Sequence, residues 1–190
     1  MGLDMYLTVN EYISRGHYER VQYTPEGNIA NEPKLISNDR FEQLKVAHPD
    51  WVDPESFSGI AINWPAAYWR KANAIHQWFV MNVQDGEDDC REYYVAPAHL
   101  RELRDACKQV LAVRNAEQSA ISQVIADVGL EPTPGFFFGS TDVDEWYFED
   151  LEHTVEAIDR LENSGLFDRL ENGSLFNADE IVSIHYQSSW

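Results

Sequence analysis

Basic side chains, cysteine and long apolar runs are what this 190-residue chain has least of. Its 14 Lys and Arg stand against 33 Asp and Glu, a formal net charge of −19. A surface this acidic repels phosphate backbones and anionic lipid, which argues against direct binding to nucleic acid or membrane and favours cationic partners. Two cysteines, Cys90 and Cys107, are too few for a disulfide scaffold, and no C-x-x-C spacing offers a zinc or redox site, so both read as reduced thiols. The longest apolar runs, such as Trp78 to Met81 and Phe136 to Phe138, fall far short of the roughly 18 residues a membrane span requires. Met1-Gly2-Leu3-Asp4-Met5 has no basic region and places an acid where a signal peptide is apolar, so a cytoplasmic protein is expected. Phosphate-loop, dinucleotide-binding, zincin and nucleophile-elbow motifs are missing as well, which excludes several common enzyme classes without excluding enzymes that lack local motifs.

What is present suffices for a core. Apolar residues make up 44% of the chain and aromatics 13%, too rich for disorder, and the length suits a single domain over 1–190. Residues 14–57 are rich in proline and polar residues and read as a variable, loop-rich insertion around a short helix near Asp39–Ala47. Strands are expected at Leu3–Asn10, Ser58–Trp64, Glu92–Ala96 and Glu180–Tyr186. The first alternates Leu3, Met5, Leu7 and Val9 with more polar neighbours. Helices are expected from Ala66 or Trp69 to Val83 after a break at Pro65, from Pro97 through the stripe Leu100, Leu103, Cys107, Val110 and Leu111, over Ala116–Val128 as an extension of that helix or a separate one, and from about Asp142 to Leu161. Gly135–Gly139 reads as a short buried strand or turn, and Ser140, Thr141 and Asp142 as cap candidates, with Glu145 completing an approximate capping box. The sum is an α+β fold, a small, largely antiparallel sheet packed with three or four helices.

Three constellations carry possible chemistry. Around the expected helix start, Tyr68, Arg70, Lys71, Asn73 and His76, with Ser140 and Thr141, combine cations, an imidazole and helix-terminal N–H groups, a set suited to a small anionic ligand or nucleotide, or to an enzyme using His76. The opposing reading makes Tyr68, Trp69 and His76 core and Arg70 a surface ion pair. Asp85, Asp88 and Asp89 form an acidic turn where Mg²⁺ or Ca²⁺ could sit, but the spacing does not match an EF-hand, and no cofactor is expected.

The third constellation is Glu145, Glu149, Glu152, Glu156 and Asp159, stepping by four, three, four and three along one helical face beside an apolar face of Tyr147, Phe148, Leu151, Val155 and Ile158. Residues 115–190 hold 16 acidic and 2 basic groups, so this row dominates the local charge. An unrelieved line of carboxylates can imitate a nucleic-acid backbone; the plain alternative is a solvated helix face.

The runs MGLDMYL, YWRKANAIHQWFV, DDCREYYV, GFFFGSTDVDEWYFEDL and HYQSSW together resemble a family of small uncharacterised proteins of phages, prophages and bacteria. The resemblance implies a microbial, phage-linked protein and carries no activity or cofactor with it. Combined with the charge, it leads to an acidic phage-type interaction protein, an inhibitor of the anti-CRISPR or anti-restriction kind, whose partner is a basic host protein or nucleic-acid-binding complex in the bacterial cytoplasm. The ligand site around Arg70 is the alternative. A third possibility is a self-associating accessory protein that uses Trp51 and Trp190.

Overall fold

The computed structural model describes residues 2–19, 22, 24–28, 33–48, 58–172 and 180–190. Twelve elements follow one another among these residues: β1 (Asp4–Ser14), β2 (Gly16–Tyr18), β3 (Leu35–Ser37), α1 (Asp39–Ala47), β4 (Gly59–Arg70), α2 (Asn73–Asn82), β5 (Tyr93–Tyr94), α3 (Pro97–Ala112), α4 (Gln118–Val128), α5 (Glu145–Asn163), α6 (Leu166–Asn172) and β6 (Glu180–Ser189). The fold is α+β: an antiparallel four-stranded sheet in the order β4-β1-β6-β5, a two-stranded β2-β3 ladder, and six helices where three or four were expected. None of these helices is long and apolar enough to cross a membrane.

The alternation in β1 does what its spacing dictates. Leu3, Met5, Leu7 and Val9 are fully buried, while Tyr6 on the other face is exposed. Backbone bonds at both ends, Lys71 N–H to Leu3 O at 2.8 Å and Arg15 N–H to Ser58 O at 2.8 Å, align β4 with β1. This pairing corrects the expected break at Pro65. β4 lies at the sheet edge, the place in a sheet that tolerates proline, and the strand continues to Arg70 with the helix beginning only at Asn73. Tyr68, Trp69 and Arg70 are consequently strand residues, with Trp69 buried and its neighbours exposed.

Two compact units make up the chain. The first comprises Met1–Val9, Trp64–Asn172 and Ser183–Trp190. Its core joins the inner faces of the strands to helices α2 to α6; α3 packs on α5, and Leu100, Leu103, Cys107 and Val110 of the one and Phe148, Leu151 and Ile158 of the other are buried. Pro97 occupies the first turn of α3, and Gly129, at φ 69°, closes α4 in the left-handed conformation that glycine adopts without strain. The expected cap of α5 is corrected. Asp144, not Ser140, Thr141 or Asp142, accepts the Tyr147 N–H at 3.2 Å, and Ser140 instead receives the Asp142 N–H at 3.0 Å. Gly135–Gly139 is a turn rather than a buried strand, with Phe136 94% exposed. The short α6 carries no pattern that distinguishes it from the end of α5.

The second unit comprises Asn10–Asn63 and Gly173–Val182. The stretch read as loops contains the β2-β3 ladder, in register Gly16 to Ser37, His17 to Ile36 and Tyr18 to Leu35. Gly16 is required there, since a Cβ would stand 2.1 Å from the Ile36 carbonyl oxygen. The helix expected at Asp39–Ala47 is present, capped by Asn38 and anchored by buried Phe41. Arg40 forks onto the carboxylate of Glu11, at 2.6 and 2.9 Å, and reaches Glu180 at 3.4 Å. Trp51, named as a contact residue, lies outside the described residues.

Candidate functional site

The end of β4 and the start of α2 meet the 132–151 segment around a cavity of about 310 Å³. Arg70, Lys71 and Asn73 line it from one side, Ser140 from the loop, and Asp142, Asp144, Trp146 and Asp150 from the other. The grouping expected from sequence thus converges in part. Arg70, Lys71, Asn73 and Ser140 share the cavity, whereas Tyr68, His76 and Thr141 do not line it.

The exclusions have local causes. Strand alternation turns Tyr68 away from the core, where its hydroxyl donates to Asp4 Oδ1 at 2.5 Å and its ring lies 5.4 Å from that of Tyr6. His76 falls on the inner face of α2 and is fully buried, with Nδ1 2.8 Å from the Tyr186 hydroxyl and Nε2 3.0 Å from Asp88. It is a core histidine, in line with the opposing reading. Trp69 is core too, donating from Nε1 to Thr154 Oγ1 at 2.9 Å.

Asn73 builds the wall. Its Nδ2 donates to the carbonyls of Phe138 and Ser140, at 3.1 and 2.8 Å, and its Oδ1 accepts the Thr133 N–H at 3.0 Å. One side chain at the first turn of α2 therefore holds both ends of the loop that carries Ser140. Ala72 at the cap position supplies no side-chain bond, so α2 begins with N–H groups that no side chain satisfies, beside two cations. Lys71 holds a left-handed backbone, φ 62°, uncommon for a residue with a Cβ, and its side chain runs along Gly139.

Asp150 faces this region from α5. Burial, with the charges of Glu149 and Asp144 adding to it, pushes its carboxyl up to about 7. An acid that titrates near neutrality in a cleft is the kind of group functional sites use. Sequence alone does not single out Asp150, which lies off the carboxylate stripe, nor Asp144 and Trp146. The signal available was a run of acids, Asp142, Asp144 and Asp150, on either side of the helix start.

The carboxylate row is not unrelieved. Arg114 bonds to Glu145 and, at 2.9 Å, to Glu152; Asp159 is 3.1 Å from Arg104 and 3.3 Å from Lys108. These cations come from α3 and its end, which pack beside α5, so the helix's own shortage of basic residues does not reveal them. Glu149 and Glu156 remain exposed to solvent.

The acidic turn is likewise engaged internally. Asp88 meets His76 and the Trp190 indole N–H, the latter at 3.1 Å, and Asp89 pairs with Arg91 and accepts from the Tyr93 hydroxyl at 3.1 Å. Among the described residues no three His, Cys, Asp or Glu side chains converge as a metal site would require.

An α+β protein with a polar, oppositely charged cavity is what the fold and geometry define. No family model matches the chain, and no match is found among curated proteins or solved structures.

Proposed function

We propose that the protein binds a small anion-bearing ligand in the cavity at the start of α2. The observation that carries this reading is the convergence of Arg70, Lys71, Asn73 and Ser140 on one cavity, beside helix N–H groups that no side chain caps. Asn73 fixes the loop, Arg70 and Lys71 supply charge, and Trp146 offers an aromatic surface at the rim. The test is a thermal-shift screen of small phosphates and carboxylates against wild type and Lys71→Gln. A ligand that raises the wild-type melting temperature and not that of Lys71→Gln supports the reading. No shift with any compound at millimolar concentration, or equal shifts in both proteins, ends it.

The second reading keeps α5 as a partner surface, an acidic phage-type inhibitor imitating nucleic-acid charge before a basic host protein. Its support is the net charge of −19 and the exposure of Glu149 and Glu156. It stands second because Glu145, Glu152 and Asp159 already neutralise cations of the same fold. Under either reading we place the protein in the cytoplasm, of a bacterial host if it is phage-borne, since a reducing compartment suits its two free thiols.

A further inference from the structure

Lys71 and Asp150 line the same cavity, and neither has a partner of opposite charge among the described residues. Lys71 forms no ion pair there, although acids outnumber bases more than two to one in this chain. The Asp150 carboxylate accepts no hydrogen bond among those residues and lies within the influence of two like charges, Glu149 and Asp144. The two other carboxylates are engaged elsewhere, and Arg70 has only a loose contact. Asp144 caps α5, Asp142 accepts from the Ser140 hydroxyl at 2.8 Å, and Arg70 stands 4.0 Å from Asp4. His153, one turn along α5, places Nε2 3.1 Å from the Tyr68 carbonyl oxygen. Lys71 is exposed at this cavity and Asp150 half-buried in it, and no ion pair joins them.

A ligand with charge of one sign satisfies only half of this arrangement. A simple anion at Lys71 would also sit before the carboxylates of Asp142, Asp144 and Asp150, and a simple amine at Asp150 would leave the Lys71 side unused. We propose, building on the reading of this cavity as a ligand site, that its ligand is a small zwitterion. The anionic end lies at Lys71 and Arg70 and at the N–H groups of α2 after Asn73, whose own N–H is bonded to the Lys71 carbonyl at 2.8 Å, and the primary ammonium lies at Asp150. The volume of about 310 Å³ is at the small end of ligand cavities and suits a molecule of amino-acid size. Trp146 and Leu151 also line the cavity and offer apolar surface to an aliphatic stem. Burial makes an isolated carboxylate at Asp150 unfavourable, and an ammonium beside it, although it too loses water, supplies the opposite charge whose attraction is stronger there than in bulk water.

The experiment is titration calorimetry of the full chain at pH 7. The probes are linear ω-amino acids from glycine to 6-aminohexanoate, each beside the matched fatty carboxylate and matched alkylamine, in two buffers of different ionisation heat. The expected result is an amino acid that binds at least about tenfold tighter than either matched half. Its binding releases protons, up to roughly half a proton per site, because an ammonium beside a carboxyl poised near pH 7 drives that carboxyl to ionise. Asp150→Asn weakens the amino acid by about tenfold and does not weaken the matched carboxylate, which loses a repulsive neighbour. Carboxylates that bind as tightly as amino acids, with proton uptake and no effect of Asp150→Asn, overturn the zwitterion and leave the anion site standing. Silence from every probe in wild type counts against both.

Discussion

His76 Nδ1 lies 2.8 Å from the hydroxyl of Tyr186 inside the core, where Tyr186 stacks on Phe79 with ring centroids 3.9 Å apart. The opposite ring nitrogen meets Asp88, which also receives the indole N–H of Trp190. The histidine therefore ties α2 to β6 and to the chain end. It acts on stability. Tyr186→Phe removes one buried partner and leaves His76 Nδ1 unsatisfied, a cost of about 1–3 kcal/mol. His76→Leu strands two partners and costs more. Urea unfolding checks both. Unchanged midpoints with lost ligand affinity would instead return His76 to the binding site.

Asn73 uses three of its hydrogen-bonding positions on the 133–140 loop, so Asn73→Ala frees the Phe138 and Ser140 carbonyls and the Thr133 N–H together. Each bond contributes about 1 kcal/mol net, which sets the expected loss at roughly 2–3 kcal/mol. Hydrogen exchange would show faster labelling across residues 133–140, with α3 and α4 unaffected. Protection of that loop at wild-type levels would mean that the turn holds itself.

Much of the scaffold was legible because its periodicity is local. β1 declared its buried face through Leu3, Met5, Leu7 and Val9, and α3 and α5 through stripes that meet each other. The start of α2 was not legible. Ala66 to Arg70 contains good helix formers after a proline, and only pairing with β1, far earlier in the chain, makes that stretch a strand. The row from Glu145 to Asp159 could be read as a stripe, yet its neutralisation by Arg104, Lys108 and Arg114 depends on the docking of α3, which no local pattern encodes. Asp150 escaped for a related reason. A carboxyl between Glu149 and Leu151 looks like ordinary surface until the 132–146 segment folds over it.

Asp150 makes stability depend on pH in a direction opposite to that of a salt-bridged acid. Its carboxyl titrates near 7 in the folded protein against an ordinary value of 3.8. Between those values the folded chain keeps a proton that the unfolded chain has released, so stability falls as pH rises from about 4 to 7. Above 7 both states are ionised and the penalty is complete. Asp150→Asn removes it, raising stability above pH 7 by on the order of 1–2 kcal/mol once solvent screening is allowed for, with the difference vanishing below pH 4. Urea midpoints of the two proteins at pH 4, 6 and 8 decide this, and a gap that does not widen with pH counts against it.

The two thiols should separate cleanly. Cys107 lies fully buried between α3 and α5, and burial drives its ionisation far above the usual thiol range, whereas Cys90 is half-buried in the loop before β5. A thiolate-selective reagent at pH 8 is expected to modify one equivalent per folded chain, at Cys90, and a second only on denaturation. Equal rates at both sites would show that the α3-α5 contact opens readily in solution.

Charge reversal on α5 distinguishes the partner reading from the ligand reading only if the right acids are chosen. Glu145→Lys and Glu152→Lys would each set a lysine against Arg114, whose guanidinium also lies over the Phe148 ring, 5.0 Å from its centroid. Those two changes combine repulsion with disturbed packing and are expected to lower the unfolding midpoint, so loss of binding in them would be uninformative. Glu149 and Glu156 are exposed and form no hydrogen bond with a cation among the described residues, so Glu149→Lys with Glu156→Lys should keep the fold, with only a small change in midpoint from the altered charge near Arg114 and Asp150. The double variant then alters the acidic face by four charge units without altering the fold. If the protein works by presenting this face to a basic groove, its capture of a purified basic nucleic-acid-binding partner collapses and the salt dependence of the residual binding flattens. If the cavity at the start of α2 is the working site, Glu156→Lys alone leaves ligand affinity at the wild-type level and the double variant still binds, shifted only by the changed charge beside Asp150, while Lys71→Gln, with α5 intact, loses it.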